Sequence, residues 1–288
     1  MAFKDLLLVL TSYPEPTPVS AVDDAIDIAV VIGARVSAIA CAVAFHSPPN
    51  IYGKVLLDVR ALAAGEAKSS STNAEALLTA FHNSAQSRGI FQDRIQEHCL
   101  ISEVPEVLVD YARLRDLTIV PKPDRESFDW YAESITSYAE PIIFGSGRPT
   151  LVIPNARADA RVFALDTVIV AWDFSRPAAR AVADALPLLE KAKQVYVVTV
   201  TNEKAISTGR SGPELAKHLA RHGANVVLDV IDAAGRTIGD VLESYVSSRN
   251  ADLLVMGAYG HSRVREFVLG GATRSMISKP PLPILFSH

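Results

Sequence analysis

The chain has 288 residues, room for one large or two medium-sized domains, and its 49% hydrophobic and 21% charged residues describe a folded globular protein rather than a disordered one. No apolar run reaches the ~18 residues of a membrane span, two cysteines, Cys41 and Cys99, exclude a disulfide framework or an all-Cys zinc site, and a net charge of -4 gives no general attraction to nucleic acid. The apolar stretch Leu6–Leu10, flanked by Lys4 and Asp5, is too short for a signal peptide, so a cytoplasmic location is expected.

In chain order, a β-rich run at Lys4-Asp-Leu-Leu-Leu-Val-Leu is followed by a helical pattern and a second run, Arg35-Val-Ser-Ala-Ile-Ala-Cys-Ala-Val. The stretch His46–Thr72, with Ser47-Pro-Pro-Asn and Ser69-Ser-Ser-Thr, reads as a long surface loop holding a helical piece, Val55–Ala64. A third run follows Ser87-Arg-Gly, a helix covers Val107-Leu-Val-Asp-Tyr-Ala, and further runs lie at Asp116-Leu-Thr-Ile-Val and Pro149-Thr-Leu-Val-Ile-Pro. The same series then recurs. Asp166-Thr-Val-Ile-Val-Ala-Trp, Gln194-Val-Tyr-Val-Val-Thr-Val, the run after Arg221-His-Gly, the helix at Val241-Leu-Glu-Ser-Tyr-Val, Asp252-Leu-Leu-Val-Met and Pro281-Leu-Pro-Ile-Leu-Phe repeat it. Tyr111 and Tyr245 hold matching helix positions, as packing residues do.

Each half thus alternates five strands with helices, the pattern of an α/β fold: two tandem doubly wound domains, each a five-stranded parallel sheet with helices on both faces. The polar stretch after Pro154 sets the expected domains at 1–155 and 156–288. Residues 1–155 carry 12 Lys and Arg against 19 Asp and Glu, and residues 156–288 carry 16 against 13. The second half is therefore the better host for an anion.

In an open parallel sheet, ligands sit beyond the carboxyl ends of the strands. The informative segment there is Met256-Gly-Ala-Tyr-Gly through Gly270-Gly-Ala-Thr273, which leads into a helix over Ala272–Ser278. Gly257, Gly260, Gly270 and Gly271 allow close backbone approach. The amides at a helix start carry the positive end of its dipole and suit phosphate. Thr273 adds a hydroxyl, and His261, Arg263, Arg265 and Arg274 lie in or beside the same segment. Asp173 follows the first strand of this half, next to Trp172, a core tryptophan or the border of a base.

Met256-Gly257-Ala258-Tyr259-Gly260, nine residues, then Gly270-Gly271-Ala272-Thr273 resembles the nucleotide loop of the universal stress protein family, and both halves resemble its domain. The resemblance implies adenine-nucleotide binding (ATP, ADP or AMP, with or without magnesium). It implies a site of Ala171, Trp172, Asp173, Val200, Met256, Gly257, Tyr259, Gly260, Gly270, Gly271, Ala272 and Thr273. Asp173 would contact the adenosine, and the backbone of Val200 the adenine. Gly271 departs from the family pattern, which has Ser or Thr there, and one hydroxyl donor to phosphate is lost.

The first half departs further: Val120-Pro-Lys-Pro-Asp124 has no glycine loop, and Leu10-Thr-Ser-Tyr-Pro has no counterpart of Asp173. It reads as a degenerate partner domain. The family's mode of pairing implies an intramolecular pair of domains joined near Leu151–Ile153 and Pro283–Phe286, with a homodimer also open.

No P-loop or Gly-x-Ser-x-Gly elbow is present. His218 and His222 have metal-like spacing, but Leu219 stands where a zinc protease needs Glu. No metal site and no catalytic residue is expected, and at most weak ATPase activity. The function expected is a stress-response protein acting through partners. The alternatives are a nucleotide-independent partner protein and a slow nucleotide hydrolase or transferase.

Overall fold

The structure is a computed structural model that describes residues 2–45, 54–122, 138–155, 162–202, 211–258 and 271–288. The first half contributes β1 (Asp5–Leu10), α1 (Val19–Ile32), β2 (Arg35–Ala44), α2 (Lys54–Ser87), β3 (Phe91–Leu100), α3 (Val104–Arg113), β4 (Leu117–Lys122), α4 (Ala139–Gly145) and β5 (Thr150–Pro154). The second contributes β6 (Thr167–Ala171), α5 (Arg176–Leu189), β7 (Gln194–Thr201), α6 (Ser211–Arg221), β8 (Val226–Asp232), α7 (Ile238–Ser248), β9 (Leu253–Gly257), α8 (Gly271–Ser278) and β10 (Ile284–Ser287).

All ten strands form one sheet in the order β3-β2-β1-β4-β5-β10-β9-β6-β7-β8. Within each half every neighbouring pair is parallel. The halves meet at β5 and β10, which pair antiparallel with Leu151 opposite Leu285 and Thr150 opposite Phe286. These are the two segments named above as the junction. The inner strands are largely apolar because helices cover both faces, whereas the edge strands β3 and β8 carry charged residues.

On one face α1, α2, α5 and α6 bury Val22, Ile26, Leu77, Ala181, Val182 and Leu219. On the other α3, α4, α7 and α8 bury Leu108, Ile142, Leu242, Met276 and Ile277. Both cores run across the junction, and Lys191 adds a bond between halves by donating from Nζ to the carbonyl of Ile32 at 2.6 Å.

Two side chains mark the repeat. Asp116 Oδ2 accepts from the amides of Lys4 and Asp5, and Asp252 Oδ2 from those of Asp166 and Thr167. Likewise Tyr111 donates its hydroxyl to Glu97, and Tyr245 to Asp229. The matching tyrosines therefore tie a helix to the third strand of each half as well as packing.

One expectation is corrected. The loop with a helical piece is, from Lys54 onward, a single 34-residue helix, α2. The Ser69-Ser-Ser-Thr run does not break it, and two of its hydroxyls have partners compatible with a continuous helix. Ser70 Oγ accepts from the amide of Val43, and Thr72 Oγ1 donates to the carbonyl of Lys68 one turn back. Residues 46–53 of that stretch lie outside the described residues.

Leu285 is fully buried at the junction. Leu285→Ala is expected to cost about 2–5 kcal/mol, seen in urea as a lower midpoint at unchanged slope. A change below ~0.5 kcal/mol would mean that the junction does not hold the halves together.

Candidate nucleotide site

The strand order of the second half reverses at β6, which has β9 on one side and β7 on the other. A crevice opens at such a point beyond the carboxyl ends of the strands. Ala171 ends β6, opposite Val198 and Met256. The amide of Trp172 donates to the carbonyl of Val198 at 2.8 Å, which holds the chain beside β7 for one more residue. The Trp172 ring is buried and meets Phe174 edge-on.

Asp173 then turns out into solvent, and its Oδ1 accepts from the amide of Ser175 at 3.0 Å. Phe174 takes the left-handed conformation, φ 62°, that this reversal requires. Ser175 caps α5 by accepting from the amide of Ala178. Turn and cap together fix Asp173 at the mouth of the crevice.

Val200 is buried near the end of β7. Gln194 donates to Asp166, and Val198 accepts from Trp172. By alternation the even-numbered residues of β7 turn their peptide groups toward β6. The N–H and C=O of Val200 therefore face the gap beyond the end of β6. The far wall carries Asn202, φ 66°, whose Nδ2 donates to Asp232 Oδ2 at 2.8 Å. The amide of Ala234 beside Asp232, and then Asn202, hold that carboxyl below its usual range. Asp232 carries no motif, and only the pairing of β7 with β8 brings it here.

Gly257 also has a packing task that the sequence did not disclose. A Cβ there would lie 2.4 Å from the amide nitrogen of Ala178 and 2.5 Å from the carbonyl carbon of Pro177. The missing side chain lets β9 pass against the first turn of α5. Gly271 is the opposite case. It opens α8, it is exposed, no atom of the described residues beyond its own neighbours and helix lies within 4 Å of an added Cβ, and it needs no left-handed φ. Ala272 is half-buried beside it, and Thr273 is buried.

Ala171, Trp172, Asp173, Val200, Met256 and Gly257 therefore gather at one end of the sheet, and Gly271, Ala272 and Thr273 form the first turn of α8. Tyr259, Gly260 and Gly270, with His261, Arg263 and Arg265, lie outside the described residues.

The same place in the first half is filled. Matching Asp5 to Thr167 puts Thr11 where the second half has Asp173. Ser12 is buried and donates to the carbonyl of Cys41. It also shares a 2.8 Å hydrogen bond with Ser70 of α2, while Asn73 Nδ2 donates to the carbonyl of Ser12. Among the described residues, Thr11, Ser12, Cys41, Leu108 and Tyr138 line a cavity of about 10 Å³, against the hundreds of Å³ of a ligand pocket. β4 runs straight through Pro121 to Lys122, paired with β5 to Pro154.

Among the described residues, no group of three His, Cys, Asp or Glu side chains is placed to hold a metal. His218 and His222 do share a face of α6, with His222 Nδ1 3.6 Å from Glu190.

A family model described as the universal stress protein family matches residues 164–288. A curated universal stress protein from Synechocystis sp. is 39% identical over 46 residues, 16% of this chain and 16% of that protein. The chain thus spans about a sixth of that relative's length. A solved universal stress protein structure from Archaeoglobus fulgidus superposes with TM-score 0.70 at 16% identity, covering 98% of this chain and 95% of that one. A putative universal stress protein from Pseudomonas aeruginosa superposes at 0.54 and 12%, covering 99% and 93%. At these identities the superpositions show a shared fold.

Gly257→Ala is expected to destabilise the chain by more than ~2 kcal/mol, since the obstructing atoms are backbone and cannot step aside. Gly271→Ser is expected to melt within ~0.5 kcal/mol of the parent. Equal melting temperatures for Gly257→Ala and the parent would contradict the packing role.

Proposed function

We propose that the chain is a member of the universal stress protein family, a family of stress-response proteins whose model matches residues 164–288, and that it binds one adenine nucleotide at the carboxyl ends of β6, β7 and β9. In this reading residues 156–288 form the binding domain. Residues 1–155 form a fused partner domain, and the pair acts in the cytoplasm through contacts that the bound nucleotide tunes. The observation that carries the reading is the asymmetry of the two ends. One crevice is framed by an outward Asp173 and the Val200 backbone, and its counterpart is filled by Ser12, Ser70 and Asn73.

The residues present fit such a ligand. Asp173, fixed by its turn, would accept from the ribose hydroxyls. The Val200 peptide would donate to and accept from the adenine edge, as a third residue of a strand pair would. The phosphates would sit on the amides of Gly271 to Thr273, where backbone donors and the helix dipole favour an anion. Gly260 and Gly270 would bring the intervening backbone close, and Tyr259 would border the same loop. Bound magnesium would offset phosphate charge. The proposal is of binding rather than turnover.

Gly271 favours one competing reading, a partner protein without nucleotide, because it lacks the hydroxyl that other family members place there. Calorimetric titration of ATP, ADP and AMP into the full chain separates the two. One site per chain is expected. Asp173→Ala should weaken it at least about tenfold, the loss of a charged hydrogen bond of ~1.5–3 kcal/mol. Gly260→Val should abolish binding. Gly271→Ser should tighten it about fivefold, the effect of one added hydrogen bond of ~1 kcal/mol. No binding, two equivalent sites, or wild-type affinity in Gly260→Val would overturn the reading.

A further inference from the structure

The sheet ends on β3 at one side and on β8 at the other, and the two ends are built differently. β3 reads Phe91-Gln-Asp-Arg-Ile-Gln-Glu-His-Cys-Leu100, an edge lined with charge that discourages further pairing. β8 reads Val226-Val-Leu-Asp-Val-Ile-Asp232. Val227 and Leu228 are each 38% exposed there, and Val230 is 73% exposed. An apolar open edge of this kind is a template for another strand.

The bonds at its two ends fix which backbone groups are on offer. The carbonyl of Asn225 accepts from Val195, and the amide of Ala233 donates to Thr201. Odd-numbered residues therefore face β7. By alternation, Val226, Leu228, Val230 and Asp232 turn their N–H and C=O groups to the open side.

We propose that this edge takes a second copy of the chain, β8 against β8, antiparallel about a twofold axis at Leu228. In that register Leu228 faces Leu228 of the second copy, and Val226 faces its Val230. These are the residues whose peptide groups point outward, so each facing pair exchanges two hydrogen bonds. Their side chains share one face, the face covered by α6, where Leu228 lies beside Gly212. The two triplets merge into one apolar stripe of six side chains.

The charges also fit. Asp229 comes opposite Val227 of the second copy, and Asp232 opposite its Ala224, so no carboxylate faces another. Moving the axis by one residue sets Asp229 against itself, which is unfavourable. Asp229 is already held by the Tyr245 hydroxyl and, at 2.8 Å, by Arg249. The junction of β5 with β10 shows the same device inside the chain: parallel sheets joined by one antiparallel edge pair.

A strand pair of this length buries less than the ~1,600 Å² of a standard interface, so the dimer dissociates on dilution. Sedimentation equilibrium of the full chain over a dilution series reads this. The parent is expected to move from dimer to monomer across the series. Val230→Lys, at the most exposed position, should raise the dissociation constant at least tenfold without changing the thermal melt, and Val226→Lys, half-buried against the core, should raise it while also lowering the melt. The double variant Val226→Lys/Val230→Glu sets opposite charges face to face across the axis and should recover the dimer. Leu62→Lys, exposed on α2, should leave it unchanged. A parent that is monomeric throughout, a Val230→Lys variant as dimeric as the parent, or a double variant that does not recover would each overturn the proposal.

Discussion

The antiparallel pair β5·β10 is the contact on which the rest of the molecule depends. Each half taken alone is a parallel sheet with an apolar strand at one edge, Thr150-Leu-Val-Ile-Pro154 in the first and Ile284-Leu-Phe-Ser287 in the second. An edge of that kind is an aggregation hazard unless it is covered. Setting the two edges against each other removes the hazard twice over and lets both cores run unbroken through Leu151, Leu285, Val152 and Phe286. Because both partners lie on one chain, their effective concentration is high, and three residue pairs suffice where separate chains would need more.

This arrangement allows the halves to diverge. A half whose fold is secured by the junction and the shared cores can fill the space at the carboxyl ends of its strands with its own side chains. In the first half that space is taken by hydroxyl and amide groups of Ser12, Ser70 and Asn73, bonded to one another and to the backbone. Buried polar groups satisfied in this way rigidify a site rather than leave it waiting for a partner. The second half keeps Asp173 turned outward on a capped turn and a short helix that opens on the exposed Gly271. The chain's charge follows the same division, with the excess of basic residues after residue 155.

Much of this was legible in the sequence because it rests on local patterns. Runs such as Leu6–Leu10 and Val168–Val170 are apolar throughout because both faces of the sheet are covered, and their repetition reads directly as two parallel sheets. The junction followed from the matching final strands and the family resemblance. What was not legible depends on contacts distant along the chain. The helix α2 continues through Ser69–Thr72 because Val43, on another strand, supplies a partner for Ser70. Gly257 resembles a phosphate-loop glycine, yet it is held to glycine by the first turn of α5, some eighty residues earlier. Asp232 enters the wall of the crevice only through the register of β7 with β8.

The central claim is that one end of one half is open to a nucleotide and the matching end of the other is closed by its own side chains. Hydrogen exchange read by mass spectrometry, with and without saturating ATP, addresses both ends in one experiment. Protection is expected in peptides covering residues 171–175, 198–202 and 256–273, with no change in those covering 10–13, 41–45 and 118–124. Equal protection at both ends, or protection at the first alone, would contradict the account.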